Sequence, residues 1–302
     1  MTTPGITRMG PMEWLLLITL SIIWGGSFFF NAVALRGLPP LVVVWGRITI
    51  GCLGLVAILG VSSLDVRPYL HRWREFLVLG VLNTAIPFSL IVWGQQHIES
   101  GLAAVINATT PAFTILVANF FTTDERASVR KFAGAVIGLG GVATLIGADA
   151  FAGFGDHVLG QAAIMGAALS YACSATYARR LHGVPSMVTA CGQLTASALV
   201  MLPVVLVLGR PWELPMPGLD VIGAVVGLGL VCSALAYILF FRILATAGAT
   251  NVQLVTLLIP FSASTLGITI LGEPFSWRLI AGMVIVTTAA LLIDGRVRLG
   301  RR

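Results

Sequence analysis

The sequence predicts an all-α membrane protein whose ten transmembrane helices form two inverted-topology repeats of five. Three observations carry this prediction: an apolar composition, ten apolar segments, and a stretch that occurs twice. The first copy, Glu125–Ile137, reads ERASVRKFAGAVI, and the second, Glu273–Ile285, reads EPFSWRLIAGMVI. Seven of the thirteen positions are identical, whereas about one would agree by chance between unrelated segments, so an internal repeat is indicated.

The composition indicates that lipid is the solvent of most of the chain. Apolar residues make up 57% of the 302 residues, charged residues make up 10%, and the mean hydropathy is +0.97. A soluble domain carries about 25% charged residues, so this chain could not cover its surface in water. The 4 cysteines lie in apolar runs without zinc-ligand spacing, and we interpret them as small apolar residues. The sequence predicts no metal and no cofactor.

Ten apolar segments follow one another with short connections. In lipid each must be helical, because only internal hydrogen bonds satisfy the backbone there, and about 20 apolar residues cross the hydrocarbon core. Spans 1 to 10 are predicted at residues 13–35, 41–60, 75–94, 101–121, 131–148, 159–179, 187–208, 219–241, 249–271 and 278–293. Proline and glycine punctuate the connections, as at Pro39-Pro40 and Gly272-Glu273-Pro274. The first apolar run is longer than the ~7–15 residues of a signal-peptide core, so we expect an uncleaved first span.

The distribution of lysine and arginine predicts that both termini face the cytoplasm. With the N-terminus inside, fourteen of the 18 basic residues fall on the cytoplasmic side: Arg8, Arg67, Arg72, Arg74, Arg126, Arg130, Lys131, Arg179, Arg180, Arg242, Arg296, Arg298, Arg301 and Arg302. Only Arg36, Arg210 and Arg278 fall outside, and Arg47 lies within a span. The sequence therefore predicts a multi-pass protein of the cell (inner) membrane. The net charge of +6 reflects this bias, and no basic aromatic face indicates nucleic-acid binding.

The repeat divides the chain into residues 1–150, the first five-helix repeat, and residues 151–302, the second and inverted one. An offset of 149 aligns Gly80 with Gly229 and Pro111 with Pro260. Spans 1–5 then correspond to spans 6–10, and because five is odd, the second half enters the membrane from the opposite side. Inverted repeats are typical of secondary transporters, whose substrate site lies near the midplane between the repeats.

The chain resembles the EamA-type transporters of the drug/metabolite transporter superfamily over essentially all ten spans. The resemblance is carried by the following residues: Trp24-Gly25-Gly26-Ser27-Phe28, Arg47, Pro111, Glu125, Pro260 and Gly272-Glu273-Pro274. It implies an exporter or facilitator of small metabolites and amino acids, most similar within the family to the YddG-like exporters of aromatic and other neutral amino acids. The counterpart of Trp24-Gly25 is Cys173-Ser174, so the halves have diverged and we do not expect a symmetric cavity.

No acidic residue or histidine lies deep in a predicted span. The 12 acidic residues and 4 histidines all fall in connections or at span ends. Acid–base catalysis in the membrane needs a positioned base, and proton or ion paths use buried ionisable groups. The sequence therefore predicts that the protein is not an enzyme and that its central cavity is neutral, with Arg47 as the one basic residue well inside a span.

Uncharged polar and aromatic side chains are consequently the candidate substrate ligands. In hydrocarbon, amides and hydroxyls need partners, so they either join helices or line a wet cavity. An amide suits both ends of a zwitterion, because it offers donors and an acceptor. A ring at mid-membrane either packs in the core or forms an apolar wall for substrate. The predicted substrate-binding residues are Trp24, Ser27, Asn83, Asn107, Tyr171, Tyr237 and Gln253.

Four residues are predicted to act in gating or as hinges: Arg47, Trp93, Pro111 and Pro260. Arg47 lies about 9 Å from the outer end of span 2, where it could snorkel to the headgroups, hold an anionic group or form an outer gate. Trp93 suits either the interfacial aromatic belt or an outer gate. Pro111 and Pro260 interrupt equivalent spans, and a matched pair of interrupted segments is the best sequence pointer to a transport site.

These features predict an alternating-access carrier, monomeric or weakly dimeric in the bilayer, that exports a small neutral or zwitterionic metabolite such as an amino acid. A carrier of phosphorylated sugars or nucleotide-sugars is an alternative, but it would need more buried basic residues than Arg47. A membrane-embedded enzyme would need His, Asp or Glu at depth. A channel or scaffold is the third alternative, and saturable counter-exchange would distinguish a carrier from a channel.

Overall fold

The computed structural model describes residues 9–62, 64–121, 129–146 and 155–294, and the regular secondary structure in this part of the chain is entirely helical. We number the apolar helices α1 (Pro11–Ala34), α2 (Pro40–Val61), α3 (Arg67–Gly94), α4 (Ser100–Phe120), α5 (Val129–Ile146), α6 (Asp156–Leu181), α7 (Ser186–Gly209), α8 (Leu219–Ala247), α9 (Val255–Leu271) and α10 (Trp277–Asp294). The predicted all-α class is confirmed.

Seven of these helices, α1–α4 and α6–α8, are long and apolar enough to cross a membrane. The other three are shorter, with apolar stretches at Phe132–Ala143, Val255–Leu271 and Trp277–Leu292 among the described residues. Each predicted span overlaps one of these helices, but the number of actual crossings stays a prediction. The Glu125 copy of the repeated hinge lies outside the described residues.

Helix α8 is longer than predicted. Span 8 was expected to end at residue 241, before Arg242, but the helix continues to Ala247. Arg242 is exposed on the helix surface, and nothing between it and Ala247 interrupts helical hydrogen bonding. The helix ends at Gly248, whose φ of 84° is a left-handed conformation that glycine adopts without steric cost. The boundary is therefore set by the glycine and not by the charge.

Helix α4 is broken next to its proline. One segment ends at Asn107 and the next begins at Thr110. Pro111 has no N–H to offer the carbonyl of Asn107, and the Thr110 hydroxyl donates to that carbonyl instead, at 2.7 Å. Pro260 lies within helical residues of α9. A short helix, Ala249–Val252, precedes α9, and the break lies between them at residues 253–254, so the two prolines do not mark equivalent breaks.

Helices α3 and α8 each contain a wide, π-helical stretch. These stretches are Val81–Ala85 and Gly227–Leu235, and the offset of 149 places the first within the second. In the second, the Ser233 hydroxyl donates to the carbonyl of Leu228 five residues earlier, at 2.9 Å. Such stretches occur frequently at functional sites.

The bundle has two chemically different ends. At the arginine-rich end, the start of α3 and the end of α6 meet, and the Arg72 guanidinium donates to the Arg180 carbonyl. At the opposite end, which we call the glutamate end, Gly37 lies against Val221 and the Glu273 carboxylate contacts the start of α4.

Helices from the two sequence halves pack directly on each other at two glycines. On α3, Gly80 faces the backbone of Gln193 in α7, and a Cβ there would lie 2.5 Å from the Gln193 carbonyl oxygen. On α8, Gly229 faces the Ile50 side chain and the Gly51 backbone nitrogen of α2. Glycine allows this close approach because it has no side chain. The two glycines are aligned by the repeat, and the two crossings join equivalent pairs of helices.

Candidate functional site

A hydrogen-bonded group of side chains joins α3, α6, α7 and α8 inside the bundle. The Asn83 amide nitrogen donates to Gln193 Oε1 at 3.2 Å, and the Gln193 amide nitrogen donates to the Tyr237 hydroxyl at 2.8 Å. The Ser174 hydroxyl donates to Asn83 Oδ1 at 2.9 Å. We call Asn83, Ser174, Gln193 and Tyr237 the central amide cluster. Because its members satisfy one another, the cluster can be polar without leaving unpaired groups in an apolar interior.

Arg47 lies inside the bundle, between α2 and the helices of this cluster. It is 6% exposed, and its Nε donates to the Ser233 hydroxyl at 3.3 Å. Its guanidinium carbon lies 3.9 Å from the centroid of the Phe88 ring, within the range of a cation–π contact. The side chain therefore points into the protein and does not snorkel to the headgroups, because α2 turns this face towards α3 and α8.

Aromatic rings border the cluster on its apolar side. Phe88 belongs to a buried core cluster against which Tyr171 and Tyr237 pack. The Tyr237 ring stacks on Phe241, with centroids 5.8 Å apart and planes 20° from parallel. The site thus combines amide and hydroxyl groups with an aromatic wall, which is the arrangement that an amphipathic small molecule needs.

Two of the predicted ligands, Asn83 and Tyr237, are thus brought together, and a third, Tyr171, packs beside them. Trp24 lies elsewhere, in the core between α1, α8 and α9, with its ring 5.7 Å from that of Phe240. The Ser27 hydroxyl donates to the Trp24 carbonyl in its own helix at 2.7 Å. That bond is available to any serine at this position of a helix, so it indicates no ligand role.

The remaining predicted residues lie outside the central amide cluster. Asn107 Oδ1 is enclosed and has no hydrogen-bond partner, which leaves it able to accept from a ligand or a water. Gln253 is exposed, in the turn before α9. Trp93 is 38% exposed, with its ring 4.6 Å from that of His97 near the glutamate end. The roles of these three residues stay predictions.

Sequence reasoning missed two members of the site. Gln193 is an amide side chain within predicted span 7, as Asn83 is within span 3, so its residue type and position could have indicated it as a candidate ligand. Phe88 offered no signal, because it is one of 15 phenylalanines in a uniformly apolar chain. Its contact with Arg47 depends on the tertiary packing of α2 against α3.

At the glutamate end, the second half of the chain caps a helix of the first. The Glu273 carboxylate accepts from the backbone N–H of Ser100 at 2.8 Å and of Gly101 at 3.3 Å. These are the first residues of α4, where unsatisfied N–H groups and the helix dipole both favour an anion. We call this contact the glutamate cap. Gly272, with φ of 73°, makes the turn that brings the carboxylate into place.

The glutamate cap lies where the halves close on each other. The Ser100–Asn107 segment of α4 packs against α9 and α6, both of the second half, and the segment that begins at Thr110 packs against α5 and α6. A second chain of hydrogen bonds supports the same corner: the Asn31 amide donates to Gln95 Oε1, and the Gln95 amide donates to the Phe28 carbonyl, each at 2.9 Å.

A separate cavity of about 720 Å³ lies between α2, α3 and α7, near the arginine-rich end. Its lining is almost entirely apolar and includes the exposed side chains Val56, Trp73 and Leu199. It therefore opens on the side of the bundle. None of the four residues of the central amide cluster lines it, although Gly192 of the lining is next to Gln193 in α7.

Among the described residues, no group of three His, Cys, Asp or Glu side chains could hold a metal ion.

Replacing Gln193 with alanine is expected to destabilise the protein by about 1–3 kcal/mol, because Asn83 and Tyr237 each lose a partner in a buried site. Gln96→Ala is the matched control, since Gln96 is exposed in the connection between α3 and α4. The apparent melting temperature of the purified variants measures the difference. Equal melting temperatures for the two variants would show that the cluster does not hold the helices together.

Known proteins resemble this chain over most of its length. The model described as "EamA-like transporter family" matches twice, at residues 12–147 and 158–294. The chain is 27% identical to the "Uncharacterized transporter YvbV" of Bacillus subtilis, over 93% of this chain and 90% of that protein. It is 26% identical to the "Uncharacterized inner membrane transporter YedA" of Escherichia coli K12, over 86% and 83%. A solved crystal structure aligns with a TM-score of 0.67 at 21% identity, covering 94% of this chain and 96% of that one, which shows the fold alone.

Proposed function

Because the chain belongs to the EamA-like transporter family and is a multi-pass membrane protein, we propose that it exports small neutral or zwitterionic metabolites, amino acids among them. The central amide cluster carries this proposal. Its members come from both copies of the family domain and lie inside the bundle, beside the aromatic wall. An amphipathic molecule bound there could place its polar groups against the amides and hydroxyls of the cluster and its apolar part against the aromatic rings.

The proposed mechanism is alternating access between two inverted five-helix halves, residues 1–150 and 151–302, with ten crossings in all. The equivalent glycine crossings at Gly80 and Gly229, and the π-helical stretches in α3 and α8, support the relation between the halves. The two glycines occupy aligned positions, and the π-helical stretch of α3 aligns with part of that in α8; α7 and α9 contain further π-helical stretches at Val205–Gly209 and Gly267–Leu271. Rocking of one half against the other would then expose the central amide cluster to one side of the membrane at a time.

The bias of basic residues supports an orientation with both termini in the cytoplasm of an inner membrane. In this orientation the glutamate end faces outwards, and the glutamate cap closes the exit. Substrate would load from the arginine-rich side and leave when the cap opens. No described acidic side chain is buried in the bundle, which supports facilitated diffusion or exchange driven by the substrate gradient.

A carrier of phosphorylated metabolites is the less favoured alternative. Phosphate recognition commonly uses several basic side chains around the dianion. Arg47 is the only lysine or arginine fully buried among the side chains that the structure describes.

Counterflow in proteoliposomes tests the proposal. Vesicles containing the purified protein are loaded with one unlabelled neutral amino acid at a time, and uptake of its labelled form is followed. We expect saturable uptake that accelerates with internal substrate, and we expect Gln193→Ala to lower it while Gln96→Ala does not. Uptake no faster than in protein-free vesicles, over a panel of aromatic, branched and small amino acids, would reject the proposed function.

A further inference from the structure

Arg47 carries a charge that the described part of the protein does not balance. No described carboxylate forms an ion pair with it, unlike Arg72, which pairs with Glu75, and Arg210, which pairs with Glu213. Burying an unpaired charge costs far more free energy than one cation–π contact returns. An ionisable side chain within a membrane bundle is therefore a functional site by default, and Arg47 lacks an anion that a ligand could supply.

The guanidinium has donors to spare. Its Nε is engaged by Ser233, whose own proton is directed to the Leu228 carbonyl, so that Ser233 accepts from Arg47. The described hydrogen bonds of Arg47 engage Nε alone, so its two terminal nitrogens are left to donate to a ligand. Two adjacent N–H groups in a rigid fork match the two oxygens of a carboxylate.

The surroundings of the fork are apolar and aromatic. Phe88 covers the guanidinium, and Tyr171 and Tyr237 pack on the same core cluster. A ligand whose anion met the fork would thus place its remaining atoms against rings and close to the central amide cluster.

We propose that Arg47 binds the carboxylate of the transported substrate, with Phe88, Tyr171 and Tyr237 facing its apolar body. This rests on the proposed function and narrows it: the substrate is a small monocarboxylate with an apolar or aromatic side group, and the carboxylate, not the ammonium, is the group recognised. Removing the amino group of an amino acid should therefore preserve binding, and converting its carboxylate to an amide should abolish it.

Wild-type protein tests the proposal without any substitution. Thermal shift and inhibition of counterflow are measured with L-phenylalanine, 3-phenylpropionate and L-phenylalaninamide at equal concentrations. A ligand that binds only the folded state raises the melting temperature. The expected result is a shift and inhibition with both carboxylates and neither with the amide. A shift with the amide equal to that with phenylalanine, or no shift and no inhibition with either carboxylate, overturns the assignment.

The variants Arg47→Gln and Arg47→Lys then locate the effect. Removing one partner of a buried charge pair is expected to weaken carboxylate binding by roughly 30-fold or more, and lysine should restore part of it because it keeps the charge without the fork. Arg242→Gln is the matched control, since Arg242 is exposed on α8. Unchanged carboxylate affinity in Arg47→Gln rejects the role of Arg47. If Arg47→Gln does not fold, the wild-type ligand series decides.

The two proposals fail in different ways. Counterflow of uncharged or amidated compounds that is insensitive to carboxylates would leave a transporter whose substrate does not bind Arg47. The absence of counterflow for every compound tested would reject the transport function itself. Carboxylate-dependent thermal shift that is lost in Arg47→Gln would nevertheless support the binding site in that case.

Discussion

Replacing Glu273 with alanine is expected to lower counterflow about tenfold or more and to open the glutamate end. The carboxylate accepts two backbone N–H groups of α4 from the opposite half of the chain. A hydrogen bond to a charged group contributes about 1.5–3 kcal/mol to the stability of the conformation that contains it. A change of 1.4 kcal/mol alters an equilibrium tenfold, so losing the cap shifts the population strongly away from the closed conformation. A carrier held open at one end completes few cycles.

Thiol labelling of a buried position measures this opening directly. Ala103, in the capped segment of α4, is fully buried. With the four native cysteines replaced, Ala103→Cys should react slowly with a maleimide in the otherwise wild-type protein and much faster when Glu273→Ala is added. Glu273→Gln should lie between them, because its amide oxygen still accepts a hydrogen bond but carries no charge.

Glu99→Ala is the control for charge at the same helix end. Glu99 immediately precedes Ser100 and makes no side-chain capping hydrogen bond. Its removal should cost at most the helix-dipole term of about 0.3–1 kcal/mol and change labelling little. If Glu99→Ala and Glu273→Ala had the same effect, or if Glu273→Ala left both labelling and counterflow unchanged, the glutamate cap would not be a gate.

The sequence was most informative where one residue type dictates local structure. Apolar segments of about 20 residues led to the helices because the backbone in lipid has no other hydrogen-bond partners. Helix α8 extends beyond predicted span 8 because Gly248 adopts a positive φ that ends the helix, whereas the exposed Arg242 does not require an end. The break before Pro111 follows from the missing N–H of proline.

The site was harder to predict because it depends on how helices are rotated about their axes. A span that is apolar on every side does not reveal which face turns inwards, so the direction of Arg47 was left open between snorkelling and an internal role. Asn83 and Tyr237 could be selected as polar residues in spans, but their link through Gln193 exists only once α3, α7 and α8 are packed. The repeat singled out Glu273, yet its partner Ser100 is 173 residues away.

Replacing Gly80 with alanine is expected to separate α3 from α7 and to destabilise the protein. A Cβ at this position would lie 2.5 Å from the Gln193 carbonyl oxygen and 3.2 Å from the Ser197 backbone nitrogen. Both atoms belong to the backbone, so neither can move without displacing α7. Overpacking of this kind costs about 1–3 kcal/mol, and the displacement also lengthens the bond from Ser197 Oγ to the Gly80 carbonyl, now 2.8 Å.

The loss of folding free energy should exceed the gain of about 1 kcal/mol that alanine brings over glycine through its helix propensity. The reason is that the Asn83–Gln193 hydrogen bond of the central amide cluster also joins α3 to α7 and would be weakened as the two helices separate. Gly223→Ala is the matched control: Gly223 lies within α8, and a Cβ there would meet no atom within 4 Å, so this variant should be neutral or more stable. The apparent melting temperatures and the counterflow rates of both variants provide the measurement. A Gly80→Ala protein as stable and as active as Gly223→Ala would mean that α7 yields at this crossing, and that close contact between the two halves is not what positions the central amide cluster.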